Sequence, residues 1–407
     1  MSVTAVQPPA VEVRQTELAK PARIHALPDR YQELDGLRGL CALSVVLFHY
    51  LIGPSGYCKA AYYLRELIYV SPLTVDMFFI FSGFLVGTIL LNTRTSPNYY
   101  KTFYFRRMFR VIPIYYLWVM TFIVLVRMFP GSRHAFLPDN ISLRLYLAEI
   151  ILFVQNFATY PKWNLTAHWF GTSWSLAVEE HFYFLAPVCL HRISRRRLLQ
   201  GLIAIIVLSP IARVLAWYFR IQNDSQVLGI GAANYWTPFR ADGLAIGILL
   251  AILWQTPDIK TWICDHLPWI YCGLVLAAPI CVGFQFLAIR NPAYGGALSV
   301  GFGRSAVEVW SLFLILIALV NQGKKSISAL RWSLLREVGK VSYCLYLIHW
   351  GVLWAVLHFV FHARPGDGAW SDGIGGIIAF ALALGVSVVS WKYMEGPLQR
   401  RGHLFSY

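Results

Sequence analysis

Arg38 and His49 stand with ten residues between them in an otherwise apolar stretch running from Leu34 to Ile52. Eleven helical steps of about 100° close on about three whole turns, which puts both side chains on one face, about 16 Å apart along the axis. An ionisable group inside a membrane span costs on the order of 2.5–3.5 kcal/mol at the helix centre, so such groups face a protein interior or a water-filled cavity. Asp76, Glu179, Glu180, His181, Arg240, Asp242 and His349 fall in other apolar stretches and raise the same question.

The chemistry these residue types offer is proton abstraction from a hydroxyl. An imidazole beside a carboxylate does this because the carboxylate fixes the tautomer and stabilises the imidazolium. His49 is the candidate base. Glu179 and Glu180 are adjacent and diverge by about 100° on a helix, so at most one can point at it. Arg107 and Arg110 are one turn apart and share a face, as needed to grip a polyphosphate at a membrane surface, although Arg106, Arg107 and Arg110 together also read as a plain topology anchor. His349 either lines the same cavity as His49 or bonds a neighbour. Glu395, at the end of the last apolar stretch, reads as a structural partner of a Lys or Arg.

The elements that must position these residues follow from composition. Of 407 residues, 57% are hydrophobic and 14% charged, with 15 Trp, 22 Tyr and 26 Phe. Apolar runs of about 20 residues are too numerous for one soluble core, so the fold class is all-α, a polytopic membrane helix bundle. Spans are expected at 34–52, 74–92, 110–129, 173–190, 198–219, 238–254, 263–288, 303–321, 341–362 and 372–393. The run 143–157 carries Arg144 and Glu149, is too short for a span, and is expected as an outer-face or re-entrant element. With ten spans, the basic clusters at 94–110, 192–197, 324–340 and 392–401 all fall on one side, which the positive-inside rule makes cytoplasmic together with both termini. Arg38 then lies near the cytoplasmic face and His49 in the outer half, with Asp76, Glu179, Glu180, Arg240 and Asp242 at His49's level. Residues 1–32 read as a flexible cytoplasmic tail without a secretory signal, 33–397 as the membrane domain, and 398–407 as a second cytoplasmic tail.

The net charge of +15, from 35 Lys plus Arg against 20 Asp plus Glu, would suggest nucleic acid in a soluble chain. Here the basic residues occupy short loops and report topology, so no nucleic-acid partner is expected. Seven cysteines without CxxC or Cys/His spacing read as packing residues, and no metal is expected. No internal repeat accompanies the charges, so the inverted symmetry of many transporters is not visible. His134 and Asp139 have the HxxxxD spacing of glycerolipid acyltransferases, but Pro138 intervenes in a loop expected outside, and the match reads as chance. The triplets Asn140-Ile141-Ser142, Asn164-Leu165-Thr166 and Asn223-Asp224-Ser225 fit the glycosylation pattern and matter only in a glycosylating host.

The run Leu34-Asp35-Gly36-Leu37-Arg38-Gly39-Leu40, ending at Phe48-His49, resembles the R-x10-H signature of the acyltransferase family 3 membrane proteins. Four further stretches resemble that family in the same order: Asp76 to Leu85, the pair Arg107 and Arg110 with Ile112-Pro113-Ile114-Tyr115-Tyr116, Ser173 to Tyr183, and Tyr343 to His349. The resemblance covers about residues 33–397. It implies a ten-helix bundle of the bacterial cytoplasmic (inner) membrane that moves an acyl group, often acetyl, from acetyl-CoA or another acyl-CoA to a sugar hydroxyl of a glycan or glycolipid. It implies that Arg38, Arg106, Arg107 and Arg110 lie on the coenzyme A side and that His49 sits where the acyl group meets the acceptor. Glu179 or Glu180 would orient His49 or bind the sugar, and Asp76, Ser82, Arg240, Asp242 and His349 are expected to contact the acceptor. Direct transfer and an acyl-histidine both remain open.

Some members carry a further helix and a hydrolase-like domain. The sequence ends at Tyr407 without them, so transfer is expected to be completed by the membrane domain alone or with a separate partner. A transporter or flippase for a glycan or lipid-linked sugar is the competing expectation, with intramembrane charges gating a path, and a third is a structural or sensory protein whose charges pair helices.

Overall fold

The computed structural model describes residues 31–71, 73–137, 142–157, 169–223 and 232–407. The amino-terminal tail through residue 30, Pro138 and Asp139, and all or part of each glycosylation triplet lie outside the described residues.

Every regular element among the described residues is helical. The chain opens with α1 (Gln32–Tyr50), α2 (Lys59–Val70), α3 (Val75–Asn92) and α4 (Tyr99–Met128). Two short helices follow, α5 (Arg133–Phe136) and α6 (Leu143–Ile151), before α7 (Trp174–Arg192) and α8 (Arg195–Asn223). Next come α9 (Ala232–Tyr235), α10 (Thr237–Trp254), α11 (Pro257–Asp265) and α12 (Leu267–Arg290). A short α13 (Tyr294–Leu298) enters α14 (Arg304–Val320) through a π-helical turn, Ser299–Gly303. Finally α15 (Ser333–Phe361) and α16 (Ala369–Ser390) lead through a second π-helical turn, Trp391–Glu395, to α17 (Gly396–Gly402).

Eight helices among the described residues are long and apolar enough to cross a membrane. The two other expected spans, α1 and α7, are 19 residues each, about 28 Å at 1.5 Å per residue and close to the hydrocarbon thickness. Charge sets them apart: α1 holds Glu33, Asp35 and Arg38, and α7 holds Glu179 and Glu180. The two expected spans outside that set are therefore the ones that carry the candidate base and the adjacent glutamates. At the periphery, α12 leaves Val275, Leu276, Ile280 and Phe286 exposed, an apolar face suited to lipid.

Two expectations need correcting. Residues 99–110, expected as a basic loop, form the first three turns of α4, because Tyr99 and Phe103, one turn apart, bury one face against the body of the protein. The helix then continues through Pro113. Residues 398–407, expected as a tail, are docked: Thr102 donates to Ser406 O at 2.8 Å, and Phe405 stacks on Phe105 at 4.7 Å. The run 143–157 behaves as expected for a segment that does not cross, since α6 is nine residues, about 14 Å.

Glycines set the closest helix contacts. A Cβ at Gly36 would lie 1.8 Å from Leu330 O, one at Gly39 would lie 2.1 Å from Leu335 O, and one at Gly339 would lie 2.1 Å from Asp35 O. Backbone therefore meets backbone between α1 and the start of α15 together with the 3-10 turn Lys325–Arg331 just before it. The pair α3 and α10 repeats the device, with Gly83 against Leu244 O at 2.2 Å and Gly247 against Ile80 O at 2.3 Å. Small residues at such crossings are how membrane helices gain close packing without a hydrophobic driving force. The first crossing aligns His49 with His349; the second aligns Asp76 with Arg240.

Candidate functional site

Two cavities lie back to back in the bundle. The larger, about 330 Å³, is lined by His49 and Phe48 from α1, Asp76 from α3, Trp174 from α7, Arg240 from α10 and Arg304 from α14. Its volume falls within the usual range of about 300–1,000 Å³ for ligand sites. The smaller, about 210 Å³, is lined by Arg38, Ser82, Arg107, Arg110, Glu179, Glu180 and Tyr183. Val75 and Tyr346 line both, so one layer of side chains divides them. Tyr346 is held in that layer by Ser175, whose hydroxyl lies 2.6 Å from its own, and by donating to Thr172 O at 3.1 Å.

The single face predicted for α1 thus serves two chambers, with Arg38 lining the smaller and His49 the larger. Three guanidiniums converge on the smaller chamber. Among the described residues, Arg38 and Arg110 make no hydrogen bond or ion pair, and Arg107 makes only ring contacts, 4.5 Å from the Tyr183 centroid and 5.6 Å from that of Phe103. Each guanidinium brings five N–H donors in a fork suited to phosphate oxygens. Arg106, expected with them, does something else. Its Nε and Nη2 donate to Phe405 O at 3.0 and 2.7 Å and its guanidinium lies 5.0 Å over the Tyr407 ring, so it fastens the chain end to α4.

Glu179 and Glu180 also belong to the chamber of Arg38, and the expected pairing with His49 is absent among the described residues. Glu179 accepts from Ser82 at 2.8 Å and from Tyr183 at 2.8 Å. This bracket joins α3 to α7 and accounts for Ser82, which touches the arginine chamber and not that of His49. The reason is rotational. Glu179 and Tyr183 lie one turn apart on the face of α7 that looks along α3, whereas Trp174, five residues earlier, is what α7 offers the larger chamber.

In the larger chamber Asp76 is committed to arginines, with Arg240 Nη2 at 2.5 Å and Arg304 Nη1 at 3.6 Å. Arg240 is fully buried, and its Nε and Nη1 have no hydrogen-bond partner while it lines the cavity. Asp242 does not reach either chamber. It is buried in an ion pair with Arg213 at 2.7 Å, and Ser305 donates to it at 3.3 Å. Two helical positions, a rotation of about 200°, separate Asp242 from the cavity-lining Arg240, which turns it toward Arg213 of α8 and Ser305 of α14.

His349 is completely buried and lies behind His49 rather than in the cavity lining. Its Nε2 is 3.2 Å from His49 Nδ1, and its Nδ1 is 2.7 Å from Tyr346 O. His181, off to one side, has Nδ1 2.7 Å from the Thr237 hydroxyl. Glu395, expected to pair with a Lys or Arg, accepts instead from Ser390 at 2.8 Å.

Arg213, Arg304 and Glu308 are the residues not singled out from the sequence. The cost of a charge in a span applies to them as it does to Asp76, and would have marked them. Arg213 and Glu308 are both fully buried, in the middle of α8 and the second turn of α14.

The arrangement offers a polycationic chamber, a neighbouring chamber with an imidazole, a polar floor of Arg240 and Asp76, and aromatic walls at Phe48, Tyr69 and Trp174. The chain is 26% identical over 394 residues to the O-acetyltransferase OatA of Staphylococcus aureus, covering 91% of this chain and 57% of the relative. It is 25% identical over 394 residues to the putative peptidoglycan O-acetyltransferase YrhL of Bacillus subtilis, covering 91% and 55%. The chain thus spans somewhat more than half the length of these curated relatives. No solved structure matches it. The family model described as an acyltransferase domain, acyltransferase family 3, matches residues 31–392, and the chain belongs to that family of acyl-transferring membrane enzymes.

Proposed function

We propose that this protein is an O-acetyltransferase that takes its acyl group from acyl-CoA and delivers it to a sugar hydroxyl of a cell-surface or exported glycan. The observation that carries this reading is the placing of three guanidiniums, those of Arg38, Arg107 and Arg110, which have no hydrogen-bond or ion-pair partner among the described residues, across the single layer of Val75 and Tyr346 from the His49 chamber. Guanidiniums whose N–H donors make no protein hydrogen bond, gathered in one cavity, suit the phosphates of coenzyme A. Arg38 and His49 are about 16 Å apart along α1, a distance that an extended pantetheine arm can bridge. The thioester would then arrive beside Tyr346, within reach of an acceptor in the larger chamber. Aromatic walls with a buried arginine and a carboxylate are the usual means of holding a sugar ring by its apolar face and its hydroxyls.

His49 would take the proton of the acceptor hydroxyl as its oxygen attacks the thioester carbonyl. The tetrahedral intermediate collapses with cleavage of the C–S bond, and the imidazolium returns the proton to the departing thiolate. Arg240, with donors to spare, would bind the acceptor, while Asp76 would hold Arg240 in place.

The topology that goes with this reading has ten spans in a bacterial inner membrane, the arginine chamber open to the cytoplasm, and both termini on the cytoplasmic side. The relatives' printed names support acetyl as the group transferred and peptidoglycan as one acceptor to try. Two chambers divided by a thin layer would also suit a glycan carrier. Incubating purified protein in lipid with labelled acetyl-CoA and glycan fragments separates the two: label transferred to the glycan supports the enzyme, and glycan movement without consumption of acetyl-CoA overturns it.

A further inference from the structure

The geometry assigns His349 as the positioning residue of His49, a neutral imidazole standing where a carboxylate would be expected. This inference rests on the reading of His49 as the base. Both neighbours of His349 Nδ1 are carbonyl oxygens, Tyr346 O at 2.7 Å and Leu345 O at 3.2 Å, and a carbonyl only accepts. Nδ1 therefore carries the hydrogen, and the Nε2 lone pair faces His49 Nδ1 at 3.2 Å. His49 Nδ1 in turn has two acceptors, that lone pair and Val45 O at 2.8 Å. It too must carry its hydrogen. The opposite assignment would press an unprotonated nitrogen against the Val45 oxygen. What remains is His49 Nε2, unprotonated and free of both contacts, on the ring edge that faces away from α15 in a residue lining the larger chamber.

Each link of this chain is fixed by packing. Tyr50 donates to His349 O at 2.9 Å, the Trp350 ring sits 5.4 Å from the His49 ring, and the glycine crossing holds α1 against α15. Val45 O alone would select the tautomer. What His349 adds appears when His49 is protonated: its lone pair then accepts from a cationic donor, which a buried carbonyl already bonded within its helix does less well. A carboxylate in that place would have to be kept ionised in the bundle interior, at a desolvation cost that a neutral imidazole avoids.

The test uses full-length protein in lipid and separates kcat from KM. His349→Leu removes the acceptor, and should lower kcat on the order of 10- to 100-fold, the scale of one hydrogen bond to a charged group, with both KM values unchanged. His349→Gln, which can place an amide oxygen where Nε2 was, should recover most of that loss. Equal losses in the two variants, or near-normal kcat in His349→Leu, would overturn the assignment of His349. If His49→Ala itself kept normal turnover, the reading of His49 as base would fail instead, so the two failures are distinguishable.

Discussion

Asp76 and Arg240 meet at 2.5 Å across the glycine crossing of α3 and α10, the carboxylate nearly buried and the guanidinium wholly so. Arg304 approaches the same carboxylate at 3.6 Å. Removing one partner of a buried pair strands the other charge, which costs about 3–5 kcal/mol. Asp76→Asn should therefore lower the thermal stability of the purified protein as well as its activity. Stability equal to wild type in a detergent melting assay would contradict the structural role given to this pair.

Arg107 and Arg110 are expected to act on the acyl donor, and Arg106 is not. Arg107→Ala or Arg110→Ala should raise the KM for acetyl-CoA about tenfold or more, the loss of one charged hydrogen bond, with little change for the glycan. Arg106→Ala should instead loosen the chain end, read as faster proteolysis after residue 402, with the donor KM unchanged. Equal effects from all three would return Arg106 to the donor site.

His49→Ala should insert and fold normally yet lose about 10²–10⁴ in turnover, the range for general-base assistance. Trapping of a radiolabelled acyl group on wild-type protein, absent in the variant, would point to an acyl-histidine in place of direct transfer.

Gly39 has no room for a side chain, since a Cβ would sit 2.1 Å from Leu335 O, while a Cβ at Gly283 meets nothing within 4 Å. Gly39→Ala should destabilise by about 1–3 kcal/mol or more through forced separation of α1 and α15. Gly283→Ala, at a half-buried position in the interior of α12 with open space around it, should be neutral or gain up to about 1 kcal/mol from helix propensity. Their relative melting temperatures check both.

The helical class and eight of the ten expected spans were legible because apolar runs of about 20 residues leave few alternatives. So were the helices that line the two cavities, since Arg38, His49, Asp76 and Arg240 each carry a cost that only a cavity or a partner can offset. What periodicity could not give was partnership. Glu179 and Glu180 share a calculated depth with His49, but depth says nothing of rotation about the helix axis, and Glu179 turns to Ser82 and Tyr183. Arg106 differs from Arg107 by one residue, hence by about 100°, and that angle sends it to Phe405. The pairing of His49 with His349 joins positions 300 apart, and follows from glycines at 36, 39 and 339 whose role depends on which helix lies opposite.

With the arginine chamber open to the cytoplasm, as proposed, and the His49 chamber reached by the acceptor from the opposite side, the layer of Val75 and Tyr346 would be the insulator between two wet compartments. A membrane potential stores about 2.3 kcal/mol per elementary charge per 100 mV, and between two wet compartments most of that drop falls across whatever separates them. Transient charge formed beside Tyr346 would then feel the voltage of the cell, so the rate of acyl delivery would respond to membrane energisation even though no ion is carried.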